Sequence, residues 1–258
     1  MKQYIVDAFT DTLFHGNYAA VCILEKWPDD ELMQNIATEN NFAETAFAVK
    51  EADYYHLRWF TPVSEIDFCG HATLATAFVL FRFFEQLSRK IIFRTKAGEL
   101  TVEHKDSLFV MDLPAYRCLS VTVTKEMEEA IGIRPVEAYK DRDLLLVLED
   151  EALVRNLKPD FEKMKKLEGL TIAVTAPGKG EYDCVSRCFA PDLDIPEDPV
   201  TGSTHCMITP YWCNRLMKDS LTCYQASKRG GTLYTRRQGD RILILGKAVL
   251  FSVGELFV

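Results

Sequence analysis

No stretch of this chain is long and apolar enough to span a bilayer. The most apolar run, Ala72 to Phe84, falls short of the roughly 20 residues a spanning helix needs, and it carries Arg82. No basic block occurs either. Thirty Lys and Arg stand against 38 Asp and Glu, for a net charge of −8. That balance argues against nucleic acid and against an anionic membrane surface as partners. An acidic substrate must then be gripped by local groups, because the overall field repels it. There is no Cys-x-x-Cys pair, and Cys184, Cys188, His205 and Cys206 match no common zinc spacing. The expectation is therefore no metal. Met1 to Phe9 lacks the apolar core of an export signal, so the eight cysteines read as reduced, mostly buried thiols of a cytoplasmic protein. Gly178-Lys179-Gly180 lacks the rest of a phosphate loop and reads as a turn.

What the chain does have is an internal echo. Arg58-Trp59-Phe60-Thr61-Pro62 returns as Arg187-Cys188-Phe189-Ala190-Pro191, 129 residues later. Cys69-Gly70-His71-Ala72-Thr73 returns as Thr201-Gly202-Ser203-Thr204-His205, 132 later, and Lys96-Ala97-Gly98-Glu99-Leu100 as Arg229-Gly230-Gly231-Thr232-Leu233, 133 later. The offset drifts slowly in one direction, as small loop insertions would make it. We read two related halves, each the size of an ordinary domain, with a cleft between them. The chemistry is expected where the echo breaks.

Short runs rich in β-branched and aromatic residues predict strands over 4–9, 19–24, 45–49, 54–60, 90–94, 100–103 and 108–113. Asp29-Asp30 predicts a capped helix over 31–38. Gly70 to Leu87 predicts the main helix of the first half, small and apolar on every side until Arg82, hence buried. The second half repeats the layout, with strands over 171–175, 182–189, 221–225, 232–235 and 241–245 and a helix from about Gly202 to Met217. The segment 114–122 is the expected crossover between halves.

Glu44 is the most telling single residue. In Phe42-Ala43-Glu44-Thr45-Ala46-Phe47-Ala48-Val49 it is the one ionised group in an apolar strand. A carboxylate there is costly to bury unless it is paired or its pKa rises, and a raised pKa suits proton transfer near neutrality. The competing reading is a carboxylate that points to solvent or caps Asn40-Asn41. An offset of 129 makes Ala173 its counterpart, so only one half would carry an acid. Asp67-Phe68-Cys69-Gly70-His71 and Asp198-Pro199-Val200-Thr201-Gly202-Ser203 each lead into a helix N-terminus. Glycine there lets a ligand approach the backbone, and free N–H groups with the helix dipole favour an anion. Ordinary helix capping would also account for Asp67, Asp198, Ser203 and Thr204 one by one. Their matched occurrence favours a site. His71 sits where it would serve as proton relay or oxygen ligand; His205 reads as core.

These residues resemble those of the phenazine-biosynthesis PhzF-like isomerases, within the diaminopimelate-epimerase-like fold. The resemblance runs along nearly the whole chain. It is carried by Val6-Asp7-Ala8-Phe9-Thr10, Gly16-Asn17 with Ala19-Ala20-Val21-Cys22, Glu44-Thr45-Ala46-Phe47, Arg58 to Pro62, and Cys69 to Ala75. In the second half it is carried by Glu197-Asp198-Pro199-Val200-Thr201-Gly202-Ser203 and by Gln225 to Gly231. It implies an α+β protein of two pseudo-symmetric halves, each a mainly antiparallel, barrel-like sheet around a central helix. The boundaries it implies are 1–115 plus 248–258, and 116–247. It implies an isomerase with no cofactor, a homodimer, and a small anionic, carboxylate-bearing substrate. Carried over by position, Glu44 is the acid/base that moves a proton within the substrate. His71 and Asp198 join it as catalytic residues, and Gly70, Gly202, Ser203, Cys69 and Thr201 bind substrate. Epimerases of this architecture oppose two cysteines. Here Cys69 is present but the matching position is Thr201, a poor base, so the racemase alternative is disfavoured; a binding protein without chemistry is the third reading. Tyr18, Phe42 and Ala43 stand where the resemblance leads one to expect Pro, Leu and Ser, which leaves pocket shape and substrate open.

Overall fold

The computed structural model describes residues 1–193 and 195–258. Contacts divide the chain into two units, Met1–Asp112 with Leu245–Val258, and Leu113–Ile244. The first begins with β1 (Lys2–Ala8), β2 (Asn17–Leu24), α1 (Asp30–Asn40), β3 (Thr45–Glu51), β4 (Tyr54–Phe60) and β5 (Glu65–Ile66). It continues with α2 (Gly70–Phe83), β6 (Lys90–Thr95), β7 (Gly98–Lys105) and β8 (Leu108–Pro114), whose last two residues belong to the second unit. The second holds β9 (Leu119–Val121), α3 (Lys125–Ile131), β10 (Glu137–Lys140), β11 (Leu144–Val147), α4 (Glu151–Arg155) and α5 (Phe161–Met164). Then come β12 (Ile172–Pro177), β13 (Cys184–Ala190), β14 (Ile195–Asp198), α6 (His205–Leu216), β15 (Ser220–Gln225), β16 (Gly231–Gln238) and β17 (Arg241–Gly246), whose last two residues belong to the first unit. The last strand, β18 (Ala248–Glu255), returns to the first unit and pairs with β1.

The fold is α+β, and its two units repeat one succession of pairings. In the first, β1–β2 is antiparallel, β2–β3 parallel, β3–β4 antiparallel, β4–β5 antiparallel, β4–β6 parallel and β6–β7 antiparallel. In the second, the same signs run through β10–β11, β11–β12, β12–β13, β13–β14, β13–β15 and β15–β16. The Arg-x-Phe-x-Pro echo has a physical reason. Arg58 on β4 donates to both oxygens of Glu65 on β5, at 2.8 Å each. Arg187 on β13 donates to both oxygens of Glu197 on β14, at 2.6 and 2.9 Å. Each bidentate pair clips a short strand to the sheet edge just before the loop that leads into the unit's helix.

The helix α2 packs against β1, β2 and β3, and every residue from Gly70 to Phe81 is buried. Its first turns are small, which lets the sheet close around it. Thr73 and Thr76 satisfy their buried hydroxyls by donating back to the carbonyls of Cys69 and Ala72, at 2.5 and 2.7 Å. Removing a core side chain such as Leu74 or Leu80, both fully buried, would cost about 2–5 kcal/mol.

Several boundaries differ from expectation. The helix α2 stops at Phe83, not Leu87, because Glu85 leaves it to accept hydrogen bonds from Tyr55 and Lys50. The helix α6 starts at His205, not Gly202; residues 202–204 form a turn. The expected crossover 114–122 contains β9, and 123–164 holds α3, β10, β11, α4 and α5, none of which was expected.

Candidate active site

In the first unit, Glu44 lies at the entrance to β3, one residue before the strand and not inside it. Its carbonyl still accepts from the Ala20 N–H, which fixes it at the mouth of the sheet. The side chain is 7% exposed, and its Oε2 lies 2.9 Å from Nε2 of His71, itself 6% exposed. Oε2 accepts no well-aligned hydrogen bond, so the contact is an ion pair and not a linear bond. Oε1 accepts from no described residue. His71 is the second residue of α2, and its other ring nitrogen, Nδ1, lies 3.1 Å from Nδ2 of buried Asn17. The Cys69 sulfur is 3.5 Å from Nδ1 and 3.9 Å from Nε2. Cys69 is the N-cap of α2 but makes no capping bond. The backbone N–H groups of Gly70 and His71 have no partner among the described residues.

The electrostatics of this cluster are set by burial and by one anion. Burial alone would lower the pKa of His71; the neighbouring Cys69 sulfur and the Glu44 carboxylate outweigh it and hold His71 well above its usual value. Burial, with Glu44 beside it, pushes the Cys69 thiol up to about 11. Cys69 is then a thiol at neutral pH, and Glu44 is the anion that favours the imidazolium. Asn17 is matched to either state of the ring. Its Nδ2–H suits a neutral ring protonated at Nε2, and a half-turn of the amide would present Oδ1 to an imidazolium.

In the second unit, Asp198 ends β14 and accepts the Thr201 hydroxyl. Fully buried Gln225 ties this turn together. Its Oε1 accepts from the Thr201 N–H at 2.8 Å, and its Nε2 donates to the Asp198 carbonyl at 2.7 Å and to the Thr201 hydroxyl at 3.2 Å. Gly202, Ser203 and Thr204 carry backbone N–H groups without partners among the described residues. The Ser203 hydroxyl accepts from Arg142 Nη2 at 3.1 Å. His205 is core, as expected: fully buried, with Nδ1 2.8 Å from the Thr201 carbonyl. So Glu44, Cys69, Gly70 and His71 come together in the first unit, and Asp198, Thr201, Gly202 and Ser203 in the second. Sequence reasoning missed Asn17, Arg142 and Gln225 as members. Asn17 and Gln225 stood inside motifs already singled out, but nothing marked their contacts.

Strand register corrects one equivalence. Phe60 pairs with Thr45, and its echo Phe189 pairs with Ile172. The residue before Ile172 is Thr171, whose carbonyl accepts from Leu144 N–H just as Glu44 accepts from Ala20. The counterpart of Glu44 is therefore Thr171 and not Ala173; the connection from this strand to the next differs by two residues between halves. The asymmetry stands, since threonine carries no acid.

Among the described residues, one group places three potential metal ligands together: Glu44, Cys69 and His71, with ligand atoms within 4.8 Å of one another. Cys184, Cys188, His205 and Cys206 form no such group there. Tyr18 and Phe42, two of the residues that depart from the resemblance, pack edge to face at 5.1 Å.

A family model described as phenazine biosynthesis-like protein matches residues 6–254. An uncharacterized isomerase of Pseudomonas aeruginosa is 47% identical over 257 residues, covering 99% of this chain and 98% of that one. A crystal structure of a phenazine biosynthesis PhzF-family protein from Enterococcus faecalis superposes with a TM-score of 0.98 at 47% identity, over 100% of this chain and 99% of the other. A probable proline racemase from Agrobacterium radiobacter, with a TM-score of 0.67 and 11% identity over 99% and 92% of the two chains, shares the fold.

Proposed function

The chain belongs to the phenazine-biosynthesis-like (PhzC/PhzF) family and is an isomerase, and we propose that it moves a proton within a small carboxylate-bearing substrate, with Glu44 as its single acid/base and no cofactor. The observation that carries this reading is the buried Glu44–His71 contact of 2.9 Å. A general base must be desolvated, oriented and left with a free oxygen. His71 holds Oε2, and Oε1 accepts from no described residue. In the proposed cycle, Oε1 takes a proton from a substrate carbon, the double bond shifts, and the same carboxyl returns the proton to a different carbon. Nothing is consumed, and Glu44 ends as it began. His71 is the positioning partner: from 2.9 Å it orients the carboxylate. Backbone N–H groups at Gly70, beside Glu44 and His71 in the first unit, offer donors for the anionic part of the substrate. Asp198 would orient Thr201, whose hydroxyl it accepts.

The racemase reading needs a thiolate at Cys69. A pKa pushed up to about 11 and threonine at the matching position both argue against it. A cytoplasmic homodimer completes the proposal; light scattering on the purified chain tests the dimer. Proton transfer is tested by incubating the protein in deuterium oxide with a panel of small unsaturated and amino carboxylic acids. Incorporation at carbon with rearrangement of a double bond supports the isomerase reading. Exchange with inversion at one carbon and no rearrangement would instead favour the racemase.

A further inference from the structure

We propose that Arg142 is an anion-binding residue, built to take the carboxylate of the substrate; this deepens the reading above and rests on it for the identity of the anion. Arg142 precedes β11. Its Nε and Nη2 donate to the two oxygens of Asp143, at 3.0 and 2.8 Å. The Asp143 side chain has no exposure at all, while that of Arg142 keeps 29%. Nη2 also donates to Ser203 at 3.1 Å, and the guanidinium lies 4.8 Å from the centre of the Tyr116 ring. The fork is thus fixed on one edge by a buried carboxylate, on one face by an aromatic ring and at its tip by the Ser203 hydroxyl. Nη1 donates to no described residue. A purely structural Arg–Asp pair has no need to leave a whole NH₂ group unused beside a turn with three unpaired backbone N–H groups.

The internal duplication supplies an independent argument. Leu144 takes the place of Ala20 in the register, so Arg142 takes that of Tyr18 and Ser203 that of His71. In the first unit, Asn17, the first residue of β2 and one position before the counterpart of Arg142, meets the helix-mouth residue His71. In the second, the segment entering β11 sends Arg142 to the helix-mouth residue Ser203. The same corner of the fold therefore carries an acid and an imidazole in one half, and a cation with hydroxyls in the other. Arg142 and Asp143 are together neutral, so the attraction is short-range and directional, suited to a planar carboxylate bound in a fork.

The test reads binding without turnover, so its result is independent of whether Glu44 performs catalysis. Benzoate is the probe, and benzamide its neutral isostere, titrated calorimetrically at fixed ionic strength. Because Arg142→Gln alone would leave Asp143 buried and unpaired, the informative variant is the double substitution Arg142→Gln/Asp143→Asn, with Arg142→Lys as the charge-preserving control. Thermal melting checks that each is folded. The parent is expected to bind benzoate at least tenfold more tightly than benzamide. The double variant should lose that preference while binding benzamide as before, and Arg142→Lys should keep part of it. Equal binding of both probes by the parent, or an undiminished benzoate preference in the folded double variant, would overturn the proposal.

Discussion

His205 ties the turn at Gly202 in the second unit to pH. It is the first residue of α6, fully buried, three residues after Gly202. Nδ1–H donates to the Thr201 carbonyl, and Nε2 is buried without a partner among the described residues. Burial lowers its pKa to about 4, against an ordinary 6.5. The folded state therefore holds the ring neutral where the unfolded chain would protonate it. The stability this contributes is fully present above about pH 6.5 and is lost as pH falls toward 4. A difference of roughly 2.5 units, at about 1.36 kcal/mol each, is about 3 kcal/mol, a large share of the 5–15 kcal/mol typical of a folded protein. An imidazolium there would also oppose the positive end of the α6 dipole and loosen the turn at Gly202 and Ser203. The perturbation is His205→Gln, whose amide still donates to Thr201 but does not titrate. Urea unfolding of both proteins between pH 8 and pH 4 gives the assay. The parent should lose about 3 kcal/mol more than the variant over that range. Parallel stability curves would refute the reasoning.

Three further outcomes are expected. Glu44→Gln removes the anion that holds the His71 pKa up. Its destabilisation relative to the parent should be greatest below about pH 6.5 and should shrink as pH rises through the raised pKa of His71. Thermal melts across pH 5.5 to 9 check this; a difference that grows with pH would contradict it. Gly16→Ala should destabilise and also disturb the site: Gly16 has φ +66°, and a Cβ there would sit 2.1 Å from the Ala8 carbonyl oxygen. Melting should fall by several degrees, as a loss of about 1–3 kcal/mol implies, and the His71 ring resonances should move because Asn17 follows directly. Cys69→Ser should keep deuterium exchange within about tenfold of the parent, because a thiol with a pKa of about 11 is a poor base at neutrality.

The duplication was legible because each half repeats a residue set with a local task. Arg58 and Arg187 each clip a carboxylate a short way on, Glu65 after 7 residues and Glu197 after 10. Glu44 was legible as an acid in apolar company, yet its partner was not, since His71 lies 27 positions away in sequence and meets it only when α2 docks. Asn17 and Arg142 were silent for the same reason: they act on His71 and Ser203, 54 and 61 residues on. The strand β11 escaped because Leu144–Val147 is buried on both faces and shows no alternation to read. The helices α3, α4 and α5 are too short, at 7, 5 and 4 residues, to display a hydrophobic period. The mistaken Ala173 equivalence came from carrying a constant offset across a connection of different length.

The central claim is that one buried carboxylate moves the proton. It is tested most directly by deuterium exchange into a turned-over substrate by Glu44→Gln protein, beside its melting curve. The amide is nearly isosteric, cannot accept the proton, and keeps the neighbourhood of His71 filled. Exchange should fall by on the order of 10²–10⁴-fold or more, with the variant still melting cooperatively. A folded Glu44→Gln protein that exchanges at the parent rate would contradict the account.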